Sequence, residues 1–120
     1  MAGGKKMAKT AESQCPVART FGIIGQRWTA LILRDLLLHG ACRFQDLQNG
    51  LVGIAPTTLS KRLKALENQG IIERRFYSSH PPRAEYVLTR KGRDLGPIIE
   101  AMRDWGERHA ETPSPDQPES

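Results

Sequence analysis

Very little in this chain suits catalysis, metal binding or a cross-linked scaffold. It has only two cysteines, Cys15 and Cys42, too few for a disulfide framework and without a metal-ligand spacing, so reduced thiols are expected. The three histidines, His39, His80 and His109, fall on a helix end, a turn and the start of a tail. None neighbours a candidate nucleophile, a glycine-rich phosphate loop or a second ligand, so we expect no catalytic residue, no metal and no cofactor. Long apolar runs are missing as well: the stretch around Leu36-Leu37-Leu38 is far too short to cross a bilayer. Lys5, Lys6 and Lys9 lead into no apolar segment, which argues against a signal peptide or an anchor. A soluble protein in the cytoplasm, with no membrane partner, is the expectation.

What is present is an ordinary globular balance, 38% hydrophobic and 26% charged, over 120 residues, a length that supports one domain without metal or disulfide support. The formal charge is +5. Its basic excess lies between residues 15 and 109, because the last eleven residues carry Glu111, Asp116 and Glu119 with no cation. A compact basic unit points to an anionic partner, of which nucleic acid is the commonest. Residues 1–14 and the Thr-Pro-Ser-Pro stretch of 110–120 lack hydrophobic periodicity and read as flexible tails around a 15–109 domain.

Within that domain Pro16 suits a first helical turn, followed by Val17, Phe21 and Ile24 at i, i+4, i+7 over roughly 16–24. A second helix over 27–39 is apolar around most of its circumference, from Trp28 to Leu38, which predicts the buried centre, with Gly40 as its stop. A short extended piece at Arg43-Phe44 precedes a third helix patterned by Phe44, Leu47 and Leu51 and ending near Gly53; a fourth opens at Pro56 and runs to Gly70. The period then falls to two over 71–77 and 84–88, a hairpin whose proline-bearing 78–83 segment is expected to project as a stiff wing. Thr89 can cap a last helix, in which Pro97 predicts a kink or a delayed start. The fold class is thus mainly α (α+β): a winged helix-turn-helix with a two-stranded β-wing and a C-terminal dimerisation helix.

In that architecture the helix over 56–69 enters the DNA major groove. At 100° per residue, Leu59, Leu63 and Leu66 share one side, which predicts packing on the second helix. The opposite side carries Thr57, Lys61, Lys64 and Asn68, with Ser60 at its flank. These are compact donors, acceptors and cations suited to base edges and phosphates. Thr58 and Arg62 join the candidate DNA-binding set, Arg62 beside the apolar stripe and within reach of a flanking phosphate or an acidic neighbour. Ordinary solvated lysines and threonines are the rival reading of this face; its place between a helix-turn element and a wing favours DNA. In the wing, Pro81 and Pro82 are expected to hold Arg83 at the tip, where an arginine enters a narrow minor groove.

The last helix carries Leu95, Ile98, Ile99, Met102 and Trp105 as one apolar stripe. It either folds onto the monomer's own core or pairs with a second copy. A two-fold homodimer sets two recognition helices one DNA turn apart, about 34 Å, and reads a palindromic or near-palindromic double-stranded site.

Several motifs in order give the chain a closer likeness. Cys15-Pro16-Val17, Ile24-Gly25-Gln26-Arg27-Trp28 through Leu36, Arg43-Phe44-Gln45-Asp46-Leu47, Leu59-Ser60-Lys61-Arg62-Leu63, Pro81-Pro82-Arg83-Ala84-Glu85-Tyr86 and Trp105-Gly106 resemble the HxlR family of winged-helix regulators across about 15–109. The resemblance implies a dimeric cytoplasmic repressor or activator related in architecture to the MarR group, with terminal helices forming the dimer contact. It also implies response to a small-molecule or electrophile effector in some members, through a cysteine near the first helix. Cys15 holds that place, and a helix start favours thiol reactivity. Cys42 reads as a small packing residue. Ala55 departs from the serine many relatives place before the recognition helix, removing a side-chain cap.

An enzyme is the weakest rival, for want of any assembled chemistry. A winged helix serving protein or RNA contacts is a second. Against it stands the Lys-Thr-Ser face, which lacks the aromatic or aliphatic anchors of a protein-binding surface.

Overall fold

A computed structural model describes residues 14–111, and the tails expected at 1–14 and 110–120 fall almost wholly outside the described residues. Six helices and one hairpin follow in the order α1 (Pro16–Ile24), α2 (Arg27–His39), α3 (Phe44–Gly50), α4 (Pro56–Asn68), β1 (Ile72–Ser79), β2 (Pro82–Leu88), α5 (Arg90–Arg93) and α6 (Gly96–His109). This is the winged helix-turn-helix arrangement, mainly helical with a two-stranded antiparallel sheet.

Local chemistry explains most boundaries. Pro16 sits in the first turn of α1. The Gln26 side chain accepts a hydrogen bond from the Thr29 amide at 2.9 Å and so caps α2. Gly40 ends α2 at φ +74°, a left-handed conformation that disfavours side chains with a Cβ. Asp46 accepts from the Arg43 amide at 2.9 Å, closing the start of α3. Ala55 precedes α4 without a side-chain cap, as expected from its chemistry.

The core is centred on α2, where Ile32, Leu33 and Leu36 are buried against Leu47, Leu51, Leu59, Leu63 and Leu66. Leu59, Leu63 and Leu66 are therefore the packed side of α4, and Cys42 is a buried packing residue. A single bridge from Cys42 to Tyr86 ties the segment before α3 to the wing, one residue earlier than the expected extended piece at Arg43-Phe44.

Two expectations need correction, and one is met. Leu38 does not join the core: at 62% exposure it shows that α2 is covered on fewer sides than its composition implied. The wing loop is tight, because the strands continue to Ser79 and Pro82 and leave only His80 and Pro81 in the turn; one register irregularity falls between Phe76 and Ser78. The last helix is split. Thr89 accepts from the Gly92 amide and caps the four-residue α5, and Pro97 lies in the first turn of a separate α6, the delayed start that proline predicts.

Candidate nucleic-acid interface

The order α3, turn, α4, hairpin makes α4 the second helix of a helix-turn-helix, carried on the core by its three leucines. Its other side is open. Thr57, Ser60, Lys61, Lys64 and Asn68 are exposed, and neither lysine belongs to an ion pair given for the described residues. Thr58 is half-buried at the edge of this face. Arg62 is also half-buried and presents a different surface from the lysines; its Nε is buried without a protein hydrogen-bond partner. Sequence spacing thus brings Thr57, Ser60, Lys61 and Lys64 together, with Thr58 and Arg62 at the flank.

The wing differs from its expected shape in one functional respect. Arg83 is exposed but lies on β2 opposite Ser78, so His80 and Pro81 occupy the tip. Because β1 alternates, Arg74 and Arg75 point to opposite faces. Arg74 lies over the Phe76 ring at 5.3 Å, and Arg75 pairs with Glu73 at 2.9 Å. Beside the wing, Arg43 is held by Asp46, which with the nearby Tyr77 stabilises its charged form; Asp46 in turn lies below its ordinary value of 3.8, chiefly through the Arg43 amide.

The apolar stripe of α6 divides. Leu95 and Ile99 are buried in the protomer's own core, which corrects their expected place in a dimer contact; only Ile98, Met102 and Trp105 face outward. Sequence reasoning missed the apolar partner of that outward row. Val17 and Phe21 on α1 are 77% and 67% exposed. Phe21 and Met102 line one cleft, and Leu31, Leu38 and Met102 line an adjoining cleft of about 340 Å³ between α2 and α6. The i, i+4 repeat of Val17 and Phe21 was visible in the sequence, but a core face and an interface face have the same periodicity.

The two thiols contrast. Cys15 is half-buried at the N-cap of α1, and Cys42 is enclosed. Burial, then the nearby Asp46, Asp35 and Glu85 charges, push the Cys42 thiol above its ordinary value of 9.0, so it stays protonated and unreactive at neutral pH. Among the described residues no cluster of three ligating side chains fits a metal ion, and no helix is long and apolar enough to cross a membrane.

Comparison with known proteins gives one consistent picture. The family model described as HxlR-like helix-turn-helix matches residues 23–114. The uncharacterized HTH-type transcriptional regulator YdeP of Bacillus subtilis (strain 168) is 40% identical over 95 residues, covering 79% of this chain and 73% of its own length. The redox regulator HypR in its oxidized form superposes with a TM-score of 0.75 at 35% identity, covering 82% of this chain and all of that one. A putative transcriptional regulator of the MarR family from Porphyromonas gingivalis W83 has the same TM-score at 31% identity, covering 85% of this chain and 99% of its own.

Proposed function

The chain belongs to the HxlR-like helix-turn-helix family, and from that premise we propose that it is a transcriptional regulator that binds double-stranded DNA sequence-specifically as a homodimer. The observation that carries this reading is the open side of α4: Thr57, Ser60, Lys61 and Lys64 stand exposed on a helix whose opposite side is anchored in the core. These side chains enter the major groove, Lys61 and Lys64 on phosphates or guanine edges and Thr57 and Ser60 as short hydrogen-bonding groups. Thr58 and Arg62 reach the flanking backbone, and Arg83 meets the neighbouring minor groove from the side of the wing.

Two such protomers present two copies of α4 to a palindromic or near-palindromic site. Their contact is the apolar surface of α6 and α1 formed by Ile98, Met102, Trp105, Val17 and Phe21, which leaves water on pairing. The unit that does this spans 15–109, and it acts in the cytoplasm. Selection of bound duplexes from a random pool, followed by titration of the Lys61→Glu/Lys64→Glu variant, tests the reading. Unchanged affinity and unchanged salt dependence would remove α4 from the interface.

A second reading adds a thiol input. Cys15 occupies the N-cap position of α1, the helix that bears Val17 and Phe21, and the chain is similar to a protein titled a redox regulator. Oxidation or alkylation there by an electrophile effector shifts α1 and with it the dimer. Cys15→Ser should abolish an oxidant-induced loss of DNA affinity; a response that persists acquits this cysteine.

A further inference from the structure

The C-terminal end of α4 is gripped by residues that have no part in the DNA face. The Thr89 hydroxyl donates to the Gly70 carbonyl and lies 3.0 Å from the Ile71 carbonyl, and the Thr89 amide donates to that same Ile71 carbonyl at 3.0 Å. Lys91 Nζ donates to the Gln69 carbonyl at 2.8 Å. Three consecutive carbonyls just past α4, those of Gln69, Gly70 and Ile71, are thus held by Thr89 and Lys91. Packing closes the grip: a Cβ built on the buried Gly92 would collide with the Ile71 carbonyl oxygen and stand 3.0 Å from Leu88 Cδ2, so α5 approaches the α4–β1 junction as closely as only glycine permits.

A two-residue turn, Asp94-Leu95, carries the same segment into α6. Gly92 donates to Thr89 Oγ1 at 3.1 Å, and the backbone bonds Arg93 to Thr89, Asp94 to Arg90, Leu95 to Gly92 and Ile99 to Leu95 follow at 2.8–3.1 Å. Leu95, Gly96 and Ile99 are buried against the core. A hydrogen-bonded strut therefore joins the base of α4 to the helix that bears Ile98, Met102 and Trp105.

We propose that Thr89, Lys91 and Gly92 form a clasp that sets the angle of α4 relative to α6, and so determines which spacing of two DNA half-sites the dimer accepts. The inference rests on the reading of α4 as the DNA-contacting helix. Leverage makes the clasp matter: α4 has 13 residues, about 20 Å of helix, seated on the core along its leucine side and held beyond its C-terminal end by the clasp. A rotation of about 10° at the clasp moves the far end by about 3.5 Å, close to one base-pair step of about 3.4 Å. None of the three residues needs to touch DNA; they are positioning residues.

The test separates position from fold. Thr89→Val removes the hydroxyl and Thr89→Ser keeps it; Lys91→Met keeps the stem of an exposed side chain and removes its donor. Each variant is measured for dimer mass by sedimentation, for affinity to a duplex with one half-site recovered by wild-type selection, and for preference among duplexes whose two half-sites are separated by graded spacers. Wild type should favour one spacing over its neighbours by about tenfold; Thr89→Val and Lys91→Met should cut that ratio at least about threefold, with single-half-site affinity and dimer mass nearly unchanged. Thr89→Ser should keep the wild-type ratio. Folded dimers with an undiminished ratio would overturn the clasp, as would equal losses on single and paired half-sites, which mark a merely structural role. Should Thr89→Val not fold, Lys91→Met decides by the same criteria. Wild-type protein that binds no duplex overturns the DNA reading and the clasp with it, whereas a sharp spacing preference untouched by the variants overturns the clasp alone.

Discussion

The open side of α4 and the open faces of α1 and α6 are both exposed to solvent and opposite in chemistry. On α4 the outward groups are hydroxyls, ammonium groups and an amide, all content in water. On α1 and α6 they are Val17, Phe21, Ile98, Met102 and Trp105, side chains whose full burial is worth about 1.5–3 kcal/mol each. Exposure therefore has two meanings in one small protein. A polar cationic face is well solvated and suits an anionic partner, while apolar side chains exposed on two helices gain by leaving water. Helix α6 contains both solutions at once, since Leu95 and Ile99 turn into the protomer while their neighbours turn out.

Substitutions that treat the two faces differently test this contrast. The strongest loss is expected on the polar face: Lys61→Glu/Lys64→Glu should lower duplex affinity by at least about a hundredfold at moderate salt and flatten its salt dependence, with dimer mass unchanged. On the apolar face, Phe21→Glu/Met102→Glu should give folded monomers in sedimentation, and operator affinity should fall about tenfold or more as the two half-sites become independent. Dimers that survive would place the interface elsewhere. The corresponding change at Leu95 or Ile99 should instead unfold the chain, because a carboxylate there is buried without a partner. Arg83→Ala should weaken duplex binding by only about fivefold, since it removes one contact beside the wing turn; a full-strength complex would exclude that contact.

The smallest effect belongs to neither face. Asp46 is exposed and its carboxyl is held below its ordinary value by the Arg43 amide, the Arg43 side chain adding to it. Ionised Asp46 therefore stabilises the start of α3 above the usual carboxylate range, and that contribution disappears as pH falls through the lowered value. Asp46→Asn should lower the melting temperature by less than about 5 °C at pH 7, and the gap should close as the pH falls below the ordinary carboxylate value and through the lowered one. A gap that is constant with pH would show that charge has no part in it.

Several features were legible before any coordinates. The leucine side of α4, the proline and glycine boundaries of α1 and α2, the hairpin and the delayed start of α6 all follow from periodicity and from the backbone preferences of single residues. Three others were not. Leu38 sits in an apolar helix yet faces solvent; Arg83 lies on a strand and not at the wing tip; and Leu95 and Ile99 leave the outward stripe for the core.

The line between the two sets is physical. A helix turns about 100° per residue whatever surrounds it, and a proline or a left-handed glycine acts on its own backbone, so the chain alone determined which residues share a side and where helices start and stop. Hydrophobicity states only that a side chain gains by leaving water. Whether it does so within its own core or stays on the surface depends on how α1, α2 and α6 are placed in three dimensions, and on that point only the tertiary structure decided.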